Sequence, residues 1–231
     1  MNNQSLLLAV CGEIRPLLDR LLLVGGCVAE LLVTDVAATK PRTTFDVDWV
    51  VNALSLMDYY RLEEELRGLG FSQTADDNGV ICRWTKNALM LDIIPTDEKI
   101  LGFSNRWYRS AIGYAEQINL QGILVKHISA PFFIAAKLDA FNARGGGDYM
   151  LSHDLEDLIT VIDGRRSVLT EVQAAPQSLQ RYIADCFSKL LLDEAFDEAL
   201  PGHLPPDAAS QARLGLLLQT LTDLSNLVDP V

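Results

Sequence analysis

Three aspartates in apolar surroundings are the residues of this sequence whose types and spacing could do chemistry. Asp46 and Asp48 stand one residue apart in the run RTTFDVDWVV, and Asp92 stands in the run LMLDIIPTD. Both runs have the apolar content of strands, and side chains two residues apart on a strand point to the same face. Asp46 and Asp48 therefore share a face, where two carboxylates repel each other unless a cation neutralises them.

A divalent cation would explain these carboxylates. If the strands that carry the two runs are neighbours, Asp46, Asp48 and Asp92 converge. Mg²⁺ (or Mn²⁺) prefers a few carboxylate ligands and completes its shell with phosphate oxygens and water. Three carboxylates around two such ions support in-line phosphoryl transfer to a hydroxyl. Asp92 would lie closest to that hydroxyl, and would orient it or take its proton.

A glycine pair, Gly25 and Gly26, follows the apolar run at 21–24. This pattern predicts a buried strand, a tight turn and a helix over 27–34. Glycines allow a ligand to approach the backbone, and the amides that open a helix point at an anion, so we expect a phosphate site; a plain turn is the alternative. The sequence lacks the continuation of a P-loop and the third glycine of a dinucleotide fingerprint.

The elements that must position these residues fall into two parts. Helical patterns occur at 4–20, 27–34 and 56–68, and strand patterns at 21–24, 45–51, 71–74, 79–86, 89–94, 114–120 and 123–128. From Pro131 onward the patterns are helical only, at 131–143, 152–162, 167–174, 177–192 and 207–226. We predict an α/β (α+β) fold, with a mixed-sheet core domain flanked by helices at 1–129 and an all-helical domain at 130–231.

A second group of charged residues lies in the helical part. Lys137 and Arg144 are seven residues apart and share a helix face, and after the glycines at 145–147, Asp154 and Asp157 share a face of the next helix. If both helices pack near the acidic strands, Lys137 and Arg144 would hold phosphates. Asp154 and Asp157 would fix those cations or the acceptor. The alternative is a purely structural network of ion pairs.

The order of the first three motifs resembles the polymerase-beta-type nucleotidyltransferase superfamily. Its members carry a glycine-rich turn, a paired acid and a distant third acid. The matching segments here are Val24-Gly25-Gly26, Asp46-Val47-Asp48-Trp49 and Leu91-Asp92-Ile93.

The helical part is similar to the AbiEii/AbiGii-type nucleotidyltransferases, many of which are toxins of bacterial toxin–antitoxin and phage-defence systems. The matching residues are Lys137, Ala140 and Arg144 on one predicted helix, and Asp154, Asp157 and Leu158 on the next. His153 stands where that family usually has lysine, and Leu151 where it often has arginine. The resemblance extends from about residue 21 to about residue 165.

The resemblance implies transfer of a nucleoside monophosphate from an NTP to an acceptor hydroxyl. Asp46, Asp48 and Asp92 would be catalytic and hold the metal; the nucleotide would be bound by Gly25, Gly26, Lys137, Arg144, Asp154 and Asp157. The acceptor would be RNA (tRNA among some relatives), a protein, or a small molecule such as an antibiotic or a sugar. A toxin would also have an antitoxin partner. A non-catalytic nucleotide-binding module is the alternative of another class, and the three intact aspartates argue against it.

The composition and the net charge limit the kinds of partner that we expect for this protein. The chain has 231 residues, 49% of them apolar, and a formal net charge of −12. That charge gives no long-range attraction to duplex DNA and mildly favours a cationic small-molecule acceptor. No apolar run reaches the length of about 20 residues that spans a bilayer, and the first residues lack the basic region of a signal peptide. The four cysteines form no CxxC pair, which indicates neither a zinc site nor a disulfide framework. We expect a cytoplasmic protein without a membrane partner.

Overall fold

The computed structural model describes residues 2–53, 55–74, 81–144 and 147–227. The chain divides into two compact units. The sheet unit comprises Met1–Glu30 and Thr43–Ser129, and the helical unit comprises Leu31–Arg42 and Ala130–Val231. Residues 79 and 80 of a predicted strand, and Gly145 and Gly146 of the glycine run at 145–147, lie outside the described residues.

The sheet unit contains a mixed seven-stranded sheet, which confirms the predicted α+β class. Its strands are β1 (Leu21–Val24), β2 (Val47–Val51), β3 (Ser72–Gln73), β4 (Arg83–Lys86), β5 (Leu89–Pro95), β6 (Glu116–Leu120) and β7 (Ile123–His127). Their order in the sheet is β3-β4-β5-β2-β1-β7-β6. Strand β2, which matters most for the site, lies between β1 and β5. It pairs antiparallel with β1 and parallel with β5.

Helices that start in the sheet unit are α1 (Asn3–Glu13), α2 (Gly26–Leu32), α3 (Leu56–Gly68), α4 (Glu98–Leu101) and α5 (Tyr108–Ala111). The helix predicted over 4–20 ends early, and the chain continues from Arg15 to Arg20 as a 3₁₀ helix. Pro16 accounts for this change, because proline has no backbone N–H and its ring clashes with an α-helical turn. Helix α1 packs against β2, β5 and β7.

The helical unit contains α6 (Ala130–Arg144), α7 (His153–Gly164), α8 (Val168–Gln173), α9 (Gln177–Leu190), α10 (Glu194–Ala199), α11 (Ala208–Gln211) and α12 (Leu214–Ser225). Its described residues form no strand. Helix α6 packs against α7, α8 and α9. The single helix predicted over 207–226 is two helices, and Arg213 at the break donates to Asp163 Oδ1 over 2.9 Å.

Across the described ranges, we find no helix that combines the length and the apolar character needed to cross a bilayer.

Candidate active site

The strand register brings the three predicted acids together. Parallel pairing of β2 with β5 sets Asp48 opposite Asp92, and antiparallel pairing of β1 with β2 sets Val24 opposite Asp48. Asp46 immediately precedes β2, whose first residue is Val47. One carboxylate oxygen from each of Asp46, Asp48 and Asp92 lies within 4.8 Å of the others. The predicted convergence of the three side chains is therefore confirmed.

The donor set fits a hard divalent cation. Ligands on opposite sides of one ion are about 4.2 Å apart for Mg²⁺ and about 4.8 Å apart for Ca²⁺, from their usual metal–oxygen distances. The carboxylate oxygens of Asp46, Asp48 and Asp92 are within 4.8 Å of one another, so a small closure would suffice for Mg²⁺. Asp92 is 7% exposed, and a buried carboxylate needs a cation or hydrogen bonds to offset its lost hydration.

An arginine lies among the three acids. Arg83 Nε donates to Asp92 Oδ1 over 2.9 Å, and its Nη2 donates to Asp92 Oδ2 over 2.8 Å and to Asp46 Oδ2 over 3.0 Å. Two parallel N–H···O bonds from one guanidinium to one carboxylate are the strongest geometry for such a pair. Arg83 is absent from the sequence-based site. The register of the β4–β5 hairpin sets it opposite Asp92.

Besides Arg83, Thr44 and Cys27 also donate hydrogen bonds to Asp46. The Thr44 hydroxyl donates to Asp46 Oδ1 over 2.8 Å, and the Thr44 amide donates to Asn3 Oδ1 over 3.0 Å, which anchors this segment to α1. The Cys27 thiol donates to the Asp46 carbonyl over 3.5 Å. Burial, and then the negative charges of Asp48 and Asp46, raise the pKa of Cys27, so the thiol stays protonated and can donate. The segment before β2 therefore has a defined position.

The first glycine of the pair approaches Asp48 closely. Gly25 has φ +71°, in the left-handed region, and a Cβ built there would lie 2.6 Å from Asp48 Cγ and nearer still to its Oδ2. No side chain fits between the turn and this carboxylate. The glycine is thus required by both the backbone conformation and the space that Asp48 occupies. Gly26 begins α2.

The charged residues of the helical unit form a network of their own. Lys137 Nζ donates to Asp157 Oδ2 over 2.7 Å and to Asp154 Oδ1 over 3.1 Å. Arg144 Nε donates to Asp154 Oδ2 over 2.9 Å, and Arg42 Nε donates to Asp157 Oδ1 over 3.0 Å. These contacts match the structural network that the sequence left open, and nucleotide binding by these residues stays a prediction. The sequence pattern does not indicate Arg42, because its partner is 115 residues away.

Charge, more than burial, sets the protonation of this network. Burial alone would lower the pKa of Lys137, but the carboxylates of Asp157 and Asp154 outweigh it and raise that pKa. Burial would likewise raise the pKa of Asp154, but the hydrogen bond from Arg144 and the charge of Lys137 lower it. The lysine is therefore charged and Asp154 ionised at neutral pH.

Comparison with known proteins finds solved structures of low sequence identity and low TM-score. No protein-family model and no curated protein matches the chain. An antigenic nucleotidyltransferase-like protein from Paracoccidioides brasiliensis is 17% identical, with a TM-score of 0.49 over 87% of this chain and 93% of that one. The antibiotic-resistance factor ANT(2'')-Ia is 15% identical, with a TM-score of 0.48 over 86% of this chain and 99% of that one. The lincosamide antibiotic adenylyltransferase LnuA, with lincomycin bound, is 16% identical, with a TM-score of 0.40 over 68% of this chain and 94% of that one. At these values the function has to be argued from the site itself.

Proposed function

We propose that the protein is a Mg²⁺-dependent nucleotidyltransferase that moves a nucleoside monophosphate from an NTP to an acceptor hydroxyl. The observation that carries the proposal is the approach of Asp46, Asp48 and Asp92 to within 4.8 Å at the centre of the sheet. One guanidinium, that of Arg83, offsets only part of the repulsion among three carboxylates at this spacing. The oxygen-only donor set favours Mg²⁺ or Mn²⁺.

In this proposal Asp46, Asp48 and Asp92 hold the metal. The bound ion would neutralise the triphosphate and lower the pKa of the attacking hydroxyl. The acceptor oxygen forms a bond to the α-phosphorus, the bond from that phosphorus to pyrophosphate breaks, and the hydroxyl proton passes to a base. Asp92, on β5, orients the hydroxyl or takes its proton.

In this proposal, the nucleotide is bound by the residues that the sequence predicts for that role. Gly25 and Gly26 would present backbone amides to a phosphate, since no Gly25 side chain stands in the way. Lys137 and Arg144 would supply positive charge, with Asp154 and Asp157 holding both cations in place. The Arg144 side chain is 73% exposed, so its guanidinium can meet a phosphate oxygen while Asp154 orients it.

The identity of the acceptor divides this proposal into two branches. RNA (including tRNA) or a protein is the acceptor that the AbiEii/AbiGii resemblance favours, and a toxin of that kind would have an antitoxin partner. A small molecule such as an antibiotic or a sugar is favoured by the net charge of −12, because an acidic protein attracts a cationic acceptor. A non-catalytic nucleotide-binding module, which has no acceptor, is the alternative to this proposal.

Transfer of label from α-labelled NTPs tests the proposal. The purified chain is incubated with Mg²⁺, each NTP in turn and a bacterial extract, and the label is traced to RNA, protein or small molecules. Asp48→Asn should lower the rate of transfer by about a hundredfold or more. The substitution removes a charged ligand of the metal, and the metal contributes several kcal/mol of transition-state stabilisation. The matched control is Asp19→Asn, an exposed aspartate of the same unit, which should transfer like the wild type.

The outcomes separate the branches. Persistent labelling by the Asp48→Asn variant would refute the metal assignment. Binding of NTP without transfer to any acceptor would favour the non-catalytic module. Arrest of bacterial growth on induction, relieved by Asp48→Asn, is the result expected of a toxin.

A further inference from the structure

Asp46, Asp48 and Asp92 form an acidic cluster. This acidic cluster already contains a positive charge, which the chain itself supplies. Arg83 contacts both oxygens of Asp92 and one oxygen of Asp46 at 2.8–3.0 Å. Its side chain is 23% exposed, which places the guanidinium partly out of water, where its attraction to two carboxylates is strengthened. Three carboxylates and one guanidinium leave a formal charge of −2.

The backbone fixes this arginine to the acidic face. In the antiparallel β4–β5 pair, Arg83 lies directly opposite Asp92, and side chains of opposed residues stand on the same face of a sheet. Asp92 is itself opposite Asp48 on the other side, across the parallel β2–β5 pair. The arginine thus belongs to the same sheet layer as the acids and not to a loop beside them.

An ion shared by Asp46 and Asp92 needs an oxygen from each carboxylate, and Arg83 already contacts both oxygens of Asp92 and Oδ2 of Asp46. Each carboxylate oxygen has two lone pairs, so one hydrogen bond leaves room for one further contact. A guanidinium and a divalent cation, however, repel each other strongly at the distance that two ligands of one carboxylate impose. The two cations therefore compete for the same pair of side chains.

We propose that Arg83 is the resident counter-cation of the acidic cluster, and that a divalent ion binds between Asp46 and Asp92 only by displacing it. This inference rests on the metal site of the proposed function. It makes Arg83 a residue that sets the affinity for the ion. Once displaced, its guanidinium offers paired donors suited to a phosphate oxygen.

Mn²⁺ binding to the full chain, without nucleotide, tests the inference independently of activity. The free ion is counted by its electron paramagnetic resonance signal during titration. Arg83→Gln removes the competing charge and should tighten Mn²⁺ binding on the order of tenfold, the equivalent of one charge-assisted hydrogen bond. The matched control is Arg20→Gln, which removes an arginine paired with Glu65 on the exposed surface of the same unit, and should bind Mn²⁺ like the wild type.

Thermal unfolding supplies a second readout. Without ions, Arg83→Gln should melt below the wild type, because three carboxylates are left uncompensated; Mn²⁺ should then raise its melting temperature by more than it raises that of the wild type. If the glutamine variant does not fold, Arg83→Lys keeps the charge without the paired donors and should bind Mn²⁺ more tightly than the wild type.

An affinity of the Arg83 variants equal to or weaker than that of the wild type overturns the inference, since a purely structural arginine would give that result. The proposed function fails differently. If neither the wild type nor Arg83→Gln binds Mn²⁺, the metal site itself is refuted. If the wild type transfers a nucleotide while the variants bind Mn²⁺ no more tightly, only the role of Arg83 is lost.

Discussion

Replacing Gly25 by alanine tests whether the turn at Gly25 and Gly26 positions Asp48. The backbone at Gly25 has φ +71°, and alanine pays about 1–2 kcal/mol in that left-handed region. Its Cβ would also lie 2.6 Å from Asp48 Cγ, well inside van der Waals contact, so the carboxylate has to move. Overpacking of this kind costs about 1–3 kcal/mol. We expect the free energy of unfolding to fall by about 2–5 kcal/mol.

The same substitution should weaken the metal site. A displaced Asp48 no longer lies with Asp46 and Asp92, and we expect Mn²⁺ affinity to fall by about tenfold or more, the usual effect of misplacing a ligand. Urea unfolding and Mn²⁺ titration of the variant measure both effects.

Gly122→Ala is the matched control for Gly25→Ala. Gly122 also has a positive φ, +89°, but a Cβ there meets no atom within 4 Å. It should show the backbone cost of about 1–2 kcal/mol and no change in Mn²⁺ affinity. If Gly25→Ala unfolds like this control and binds Mn²⁺ like the wild type, the close approach of the turn to Asp48 has no role in the site.

Two further predictions concern the network of the helical unit. Lys137→Met leaves the Asp154 and Asp157 carboxylates buried without the lysine, and should lower the free energy of unfolding in urea by about 3–5 kcal/mol; Lys189→Met, on the exposed surface of α9, should change it by less than about 0.5 kcal/mol. The lowered pKa of Asp154 contributes stability that is complete above the unfolded-state pKa of about 3.9 and is lost as the pH falls through the lower folded-state value. The melting temperature of the wild type should therefore drop below about pH 4, and Asp154→Asn should show a shallower drop; equal slopes would contradict the role of this carboxylate.

Local pattern was sufficient to predict the acidic strands. Alternation around Asp48 and the apolar residues beside Asp92 predicted two buried strands, and the repulsion of paired carboxylates predicted that they would share a cation site. The helix predicted over 56–68 is α3 with the same bounds. Ser55 caps it by accepting from the Asp58 amide, a signal that is local in sequence.

The partners of the site residues were beyond local pattern. The sequence pattern shows Arg83 only as one residue of a strand, because its role depends on which strand pairs with β4 and in which register. Arg42 belongs to a loop by composition, and its contact with Asp157 is set by the packing of the helical unit. The helices α4 and α5 have four residues each, too few to show a helical period.

The turn between β4 and β5 has a consequence for tolerance of insertions and deletions. Lys86 pairs with Leu89, so the loop consists of Asn87 and Ala88, and Asn87 takes a positive φ of 55°. One residue more or less in this loop would shift the pairing by one position and rotate every side chain of β4 to the opposite side. Arg83 would then point away from Asp92, and the large indole of Trp84 would face the acidic cluster instead. A single-codon change at this surface loop would thus strip the acidic cluster of its own cation while leaving all three aspartates in the sequence.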